Sequence, residues 1–243
     1  HQKEIESYCA YTLPTHGLIT NCGKAHLEGF GGEAGVRKGK GELFDYLRAN
    51  NGTAFIMKDY DYLNEMSSGI DSIFTYGTID ADITGEIKNS TGFLNVSITK
   101  GAAIDTIQTQ LVGEYNLPNV LAAVAAGKYF KVPDDKIKLA LEKYSPSNSR
   151  SQLIEKGSNK FILDAYNANP SSMEEALWMF DRWEAEKKVV ILGDMFELGN
   201  EAVIEHAALG NVIAKCKFDY VLLVGELMQH ALKHLPQAYY FPD

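Results

Sequence analysis

Two short apolar runs, Phe161-Ile162-Leu163 and Val189-Val190-Ile191-Leu192, each end abruptly in a polar cluster, DAYNANPSSM at 164–173 and GDMFELG at 193–199. Runs of this length and β-rich content, each followed by a helical pattern, predict buried parallel strands of an α/β sheet. Open sheets of that kind take their ligands just past the carboxyl ends of the strands. Polar clusters at two successive strand ends therefore mark a candidate site and constrain the fold together.

The same alternation runs through the first part of the chain. EIESYCAYTL (4–13) reads as a helix, GLITN (17–21) as a strand, 36–50 as a helix, and TAFIMK (53–58) and SIFTYG (72–77) as strands. That is the βαβ rhythm of a parallel sheet. Between 82 and 112, ITGEIKN, FLNVSIT and DTIQTQL alternate apolar with polar residues and are separated by turn residues, which predicts a small antiparallel sheet. Helices are expected at 117–130 and 133–144. Strands at 152–156, 160–164, 188–193 and 219–224 then alternate with helices near 171–186, 201–215 and 226–235. Asn169-Pro170-Ser171, with Glu174 close behind, gives the first of these helices its start. The polar, proline-bearing run SPSNSRS at 145–151 divides the chain, so that 1–145 and 146–243 read as two domains.

A chain of 243 residues with 45% hydrophobic and 23% charged residues has the composition of a globular protein with room for two domains. Its net charge of −9, with no basic stripe, argues against a nucleic-acid partner. An anionic small substrate stays open, because local charge decides that. No apolar run is long enough to span a bilayer, so membrane insertion is not expected. Cys9, Cys22 and Cys216 are too few and too scattered for a disulfide framework or a metal knuckle, which fits a reducing cytoplasm.

The two strand-end clusters have company upstream: ITNCGKAHLEGFGG (19–32), KGKGELFDYL (38–47) and GEYNLPNVLAAVAAG (113–127). The five segments, in this order, resemble the signature segments of the Mur ligases, in particular their D-alanyl-D-alanine-adding branch. The resemblance implies an α/β fold in which 1–145 is a partial central ATP-binding domain, with a parallel sheet plus a small antiparallel sheet. Residues 146–243 would be a partial, Rossmann-like carboxy-terminal domain. It also implies that an amino-terminal uridine-nucleotide domain, a glycine-rich phosphate loop and the last carboxy-terminal residues lie outside this chain. The fragment alone is then expected to be inactive. The implied activity is ATP-dependent joining of D-alanyl-D-alanine to UDP-N-acetylmuramoyl-tripeptide through an acyl phosphate, by a cytoplasmic monomer using magnesium. A sister ligase, a folylpolyglutamate synthetase-like enzyme and a non-catalytic nucleotide-binding homologue are the alternatives.

Several residues carry expected roles. His26, in a glycine-rich loop, reads from the sequence as a surface histidine, and the resemblance makes it a magnesium ligand. Lys40 is read at a helix start, where a cation is disfavoured by the dipole. The resemblance makes it a carbamylated, metal-holding lysine, with Lys38 the alternative. Asn116 and Asn119 read as helix capping or, since an amide offers a donor and an acceptor in one plane, as adenine contacts; the resemblance favours Asn119, and family members often have histidine where Tyr115 stands. Arg150 reads as a linker arginine or a γ-phosphate clamp, and the resemblance implies the clamp, with closure about 145–151. Glycine often precedes that arginine in the family; here Ser149 does. Asp164, Asn167 and Asn169 match the segment that faces the nucleotide, although Asn169 also suits a helix N-cap. Asp194 and Glu197 match the loop of the amino-substrate pocket, and His206 is expected on the surface of the next helix.

Overall fold

The computed structural model describes residues 2–24, 27–90, 92–147 and 149–243. Two compact units emerge, His1–Cys22 with Arg37–Asp164, and Gly23–Val36 with Ala165–Asp243. The sequence division fell at 145/146; the compact units part at Asp164/Ala165, because the 152–163 segment packs with the first unit.

The first unit opens with α1 (Glu4–Thr12) and β1 (His16–Leu18). The short α2 (Leu27–Phe30) and the first turn of α3 (Glu33–Ala49) are counted with the second unit, and the rest of α3 with the first. Then follow β2 (Thr53–Met57), α4 (Asp61–Met66), β3 (Ser72–Gly77), β4 (Ile83–Asn89), β5 (Phe93–Lys100), β6 (Thr106–Val112), α5 (Leu117–Tyr129) and α6 (Asp134–Lys143). The six strands form one sheet in sequence order. All five residues of β2 are buried, as a near-continuous apolar run flanked by parallel neighbours requires.

The antiparallel strands predicted between 82 and 112 are present, but they are not a separate sheet. β4 pairs parallel with β3 through Tyr76↔Ile83 and Gly77↔Thr84, and β5 and β6 then continue antiparallel. One mixed sheet results. The short 78–82 connection carries no crossover helix; Asp82 caps it by accepting from the backbone N–H of Thr75 at 2.8 Å and from its hydroxyl at 2.7 Å.

Helix α5 begins at a proline in its first turn and buries Leu117, Val120, Leu121, Val124 and Ala125. Its seat on the sheet depends on Gly85. A Cβ there would lie 2.7 Å from Leu121 Cδ2 and 2.8 Å from the Ser97 carbonyl.

The run Phe161-Ile162-Leu163 does not form a buried parallel strand. It belongs to an antiparallel hairpin of β7 (Gln152–Lys156) and β8 (Asn159–Leu163), with Phe161 51% exposed. Gly157, at φ 61°, supplies the tight turn that the two-residue connection needs.

The second unit contains α7 (Pro170–Asp181), β9 (Val189–Gly193), α8 (Ala202–Ile213), β10 (Tyr220–Val224) and β11 (Tyr239–Phe241). The strands are parallel in the order β11-β10-β9. β9 is parallel as expected but only half buried: Val190 is 6% exposed and Ile191 69%. The helix expected near 226–235 is instead two short 3-10 turns, Leu227–His230 and Leu232–His234. The second of these units is thus a Rossmann-like α/β arrangement, and the first a mixed-sheet α/β domain.

Burial, and then the neighbouring Tyr60 and Tyr62, raise the Tyr76 phenol above its ordinary 10.0. The folded chain keeps a proton that the unfolded chain releases. The stability Tyr76 contributes is therefore intact below about pH 10 and falls as the pH rises beyond it. Tyr76→Phe is expected to flatten the alkaline limb of stability against pH, followed by urea unfolding between pH 8 and 11, while leaving the limb below pH 9 unchanged in shape.

Candidate functional site

Within the first unit, Lys40 lies well inside α3, because that helix starts at Glu33. That far along the helix, the amino-terminal dipole no longer disfavours a cation. Its Nζ donates to the Asn21 carbonyl, just past β1, at 2.7 Å. Lys38 is exposed and Lys40 half-buried, so of the two only Lys40 turns back to the strand end.

The loop before α5 is held by its own side chains. Asn116 is 9% exposed and makes no capping bond; its amide donates to the Val112 carbonyl at 2.8 Å. Its Oδ1 accepts from Asn119 Nδ2 at 3.2 Å, which steadies the exposed Asn119. Tyr115 Oη and Ser151 Oγ share a hydrogen bond of 2.7 Å. Asp164 in turn accepts from the Ser151 backbone N–H at 3.1 Å and from its hydroxyl at 3.5 Å. Arg150 is exposed between Ser149 at φ 56° and Ser151 at φ 48°, two left-handed residues in one turn. The sequence singled out Asp164 and Arg150 but missed Ser151, the residue that joins them to Tyr115.

Within the second unit, Asn169 is a true N-cap: Oδ1 accepts from Ser172 N–H at 3.1 Å and the Ser172 hydroxyl completes a capping box. Asn167 is exposed. His26 lies outside the described residues. Lys24, nearby, donates from its backbone N–H to Ser171 Oγ at 3.3 Å and from Nζ to Glu205 Oε1 at 2.7 Å. That hydrogen bond to Glu205 is the chief cause holding the Lys24 ammonium above its ordinary range. The Glu28 N–H, in α2, donates to the Glu197 carbonyl at 3.0 Å.

Asp194 spends both carboxylate oxygens on backbone. It accepts from Met228 N–H at 2.9 Å and Leu227 N–H at 3.2 Å, fixing the first 3-10 turn. Only glycine suits position 225, at φ 110°, where a Cβ would stand 2.4 Å from the Asp194 carboxyl carbon. Glu197 is exposed, at φ 60°. His206 is not on the helix surface; it is 0% exposed. Its Nε2 accepts from Met195 N–H at 3.0 Å and its Nδ1 meets the Ala202 carbonyl at 2.7 Å, which assigns the neutral tautomer protonated on Nδ1. Adjacent Glu205 and His206 in the otherwise apolar AVIEHAALGNVI were the sequence signal for this.

Among the described residues no three His, Cys, Asp or Glu side chains gather to hold a metal ion. The described residues do not by themselves make a magnesium site.

His206→Leu leaves the buried Met195 N–H without an acceptor, and a loss of about 1–3 kcal/mol in urea unfolding is expected. Ile204→Ala, one helix position away from the buried pair and 63% exposed, should cost no more than about 0.5 kcal/mol.

Residues 1–127 match the Mur ligase middle domain and residues 149–243 the Mur ligase glutamate ligase domain. The UDP-N-acetylmuramoyl-tripeptide–D-alanyl-D-alanine ligase of Escherichia coli K12 is 33% identical over 246 residues, covering 96% of this chain and 52% of the relative. The ligase of the same name from Bacillus subtilis 168 is 30% identical over 237 residues, covering 95% and 51%. A crystal structure of MurF from Acinetobacter baumannii superposes with a TM-score of 0.90 at 29% identity, over 99% of this chain and 53% of that one. The MurF of Thermotoga maritima, solved in complex with ADP, shares the fold at a TM-score of 0.86 and 19% identity, over 99% of this chain and 56% of that one. The chain spans about half the length of the relatives it matches. It belongs to the Mur ligase family.

Proposed function

We propose that the protein containing this chain is an ATP-dependent ligase that joins D-alanyl-D-alanine to UDP-N-acetylmuramoyl-tripeptide. The observation that carries this reading is the meeting of the family's strand-end segments in one unit. Ser171 of NANPSSM takes a hydrogen bond from Lys24, and Glu197 of GDMFELG takes one from Glu28 of the HLEG segment. The names of the E. coli and B. subtilis relatives supply the substrates.

A carboxylate is a poor electrophile. Its oxygen attacks the γ-phosphorus of ATP, ADP departs, and the acyl phosphate so formed is open to the dipeptide amine. The amine nitrogen bonds to the carbonyl carbon, inorganic phosphate leaves, and the amine gives up a proton. In this scheme Asn119, steadied by Asn116, reads the adenine edge through its amide. Arg150 neutralises charge on the transferring phosphoryl group. Asp164, Asn167 and Asn169 shape the nucleotide side, with Asp164 and Asn169 acting through the turns they fix. Exposed Glu197 pairs with the ammonium of the dipeptide, while Asp194 sets the loop that carries it. Magnesium, with His26 and a carbamylated Lys40 as ligands, belongs to this reading; when bound it would offset phosphate charge. A carbamate nitrogen keeps one N–H, so the bond to Asn21 is compatible with the modification. Free thiols at Cys9, Cys22 and Cys216 support a reducing cytoplasm, and a monomer suffices.

Phosphate release by the full-length protein, given ATP, magnesium and the UDP-tripeptide, is expected only when D-alanyl-D-alanine is added. Release with a single amino acid would move the protein to a sister ligase, and none with any amine would sink the reading. Arg150→Ala should lower kcat by a hundredfold or more, on the order of 10² as for other lost transition-state donors. Its melting temperature should stay within about 2 °C of the parent, since an exposed side chain contributes little to stability. Parallel loss of stability and turnover would remove the clamp role.

A further inference from the structure

Resting on that reading, we propose that Arg37, laid on the ring of Tyr62 past the carboxyl ends of β1 and β2, binds an oxyanion of ATP or of the acid substrate. The guanidinium carbon of Arg37 stands over the Tyr62 ring, 4.9 Å from its centroid. That attraction is to the quadrupole of the ring, so the five N–H donors of the fork are left for other partners. Among the described residues no carboxylate pairs with Arg37 and no acceptor takes its N–H groups. Arg48, further along α3, is used differently: its fork is spent on the Asp45 carboxylate and on the Met66 and Ser68 carbonyls. Arg37 is exposed, and solvation would account for a loose arginine there. It does not account for one held on a fixed plate.

The plate is anchored to the strand end. Tyr62, on α4, stacks on Tyr60 with centroids 5.5 Å apart and planes 13° from parallel. Its hydroxyl accepts from the Cys22 N–H at 3.2 Å. The carbonyl of that same peptide group, belonging to Asn21, accepts from Lys40 Nζ at 2.7 Å. The Asn21–Cys22 peptide, just past β1, is thus gripped from both sides. Lys40 follows Arg37 by one helical turn, so the two cations share a face of α3. Both act on the buried Cys22 thiol, which burial raises and which Lys40, then Arg37, pull back down. Like charges at that spacing cost a helix stability, so folding alone does not explain the pair. In a chain of net charge −9 they make a local excess of positive charge past the ends of parallel strands, where folds of this kind take ligands. The planar fork of arginine fits a phosphate or a carboxylate with two parallel hydrogen bonds. Those are the two anions that the first step of the proposed reaction brings together, before the amine attacks.

The test uses the full-length protein and three variants: Arg37→Met, Tyr62→Leu and Tyr62→Phe. In Arg37→Met the KM for ATP, for the UDP-tripeptide or for both is expected to rise about tenfold, with that for D-alanyl-D-alanine unchanged within about twofold. A rise for ATP places its phosphate at Arg37, and a rise for the UDP-tripeptide places its carboxylate or diphosphate there. The melting temperature of Arg37→Met should stay within about 2 °C of the parent, because the side chain is exposed. Tyr62→Leu removes the plate and should raise the same constant about threefold; Tyr62→Phe keeps the ring and should recover most of that loss. Parental constants in Arg37→Met would overturn the proposal, as would an equal rise in all three or a rise for the dipeptide alone. A fall in the carbon-NMR carbamate signal of Lys40, with parental constants, would make Arg37 a counter-ion of that lysine and overturn it too. If the unsubstituted protein released no phosphate with any amine, the ligase reading would fall. Calorimetric binding of inorganic pyrophosphate would still decide the site: about tenfold weaker binding in Arg37→Met supports it, and equal or absent binding sinks it.

Discussion

The seating of α5 on the mixed sheet is the constraint from which the first unit's geometry follows. The helix can descend on β4 only because Gly85 has no side chain where Leu121 lies. A contact at that distance tolerates no added methyl, since interiors packed to crystal-like density have nowhere to move it. At the far end, Tyr129 and Phe130 lock against His16, Phe55 and Phe74, with ring centroids 5.0–6.3 Å apart. A helix pinned at both ends holds Tyr115, Asn116 and Asn119 in fixed places at its start.

Most of the polar residues crowding the strand ends serve backbone first. Asp164, Asn169, Asp194 and His206 each satisfy main-chain N–H groups in turns that would otherwise be under-bonded. Preorganised loops follow from that, and preorganisation is what lets a site meet a charged transition state without rearranging at the moment of reaction. Asn119, Asn167 and Glu197 are among the exposed residues that these turns display.

The sequence made the parallel half of the first sheet legible because a run such as TAFIM, buried on both faces, admits few other readings. It made the helix cap at Asn169 legible because capping is local chemistry. Pairing between distant strands was less visible. Alternation shows that β4, β5 and β6 are half-buried strands, yet nothing local says that β4 will join β3 in parallel. Phe161-Ile162-Leu163 misled for the same reason: three apolar residues carry no sign of whether the partner is a hairpin neighbour or a distant strand. Lys40 was misplaced on its helix because GFGGEAG reads as loop, whereas α3 begins at Glu33 and tolerates Gly35. His206 was hidden by its own polarity, which argues for the surface unless both ring nitrogens are known to find partners.

Two departures from the family pattern meet at one turn. Ser149 stands where glycine is frequent, and its backbone is left-handed, a conformation that costs an L-residue about 1–2 kcal/mol and glycine almost nothing. Tyr115 stands where histidine is frequent, and its hydroxyl reaches Ser151, the next left-handed residue of the same turn. Gly113, at φ 93°, makes room for that ring; a Cβ there would lie 2.3 Å from Tyr115 Cε1. Ser151 therefore gains a partner on one side from Tyr115 and on the other from Asp164, and these bonds offset the strain that the missing glycine introduces. The turn that presents Arg150 is thus held by side-chain hydrogen bonds in this chain, where a glycine would have allowed it without them.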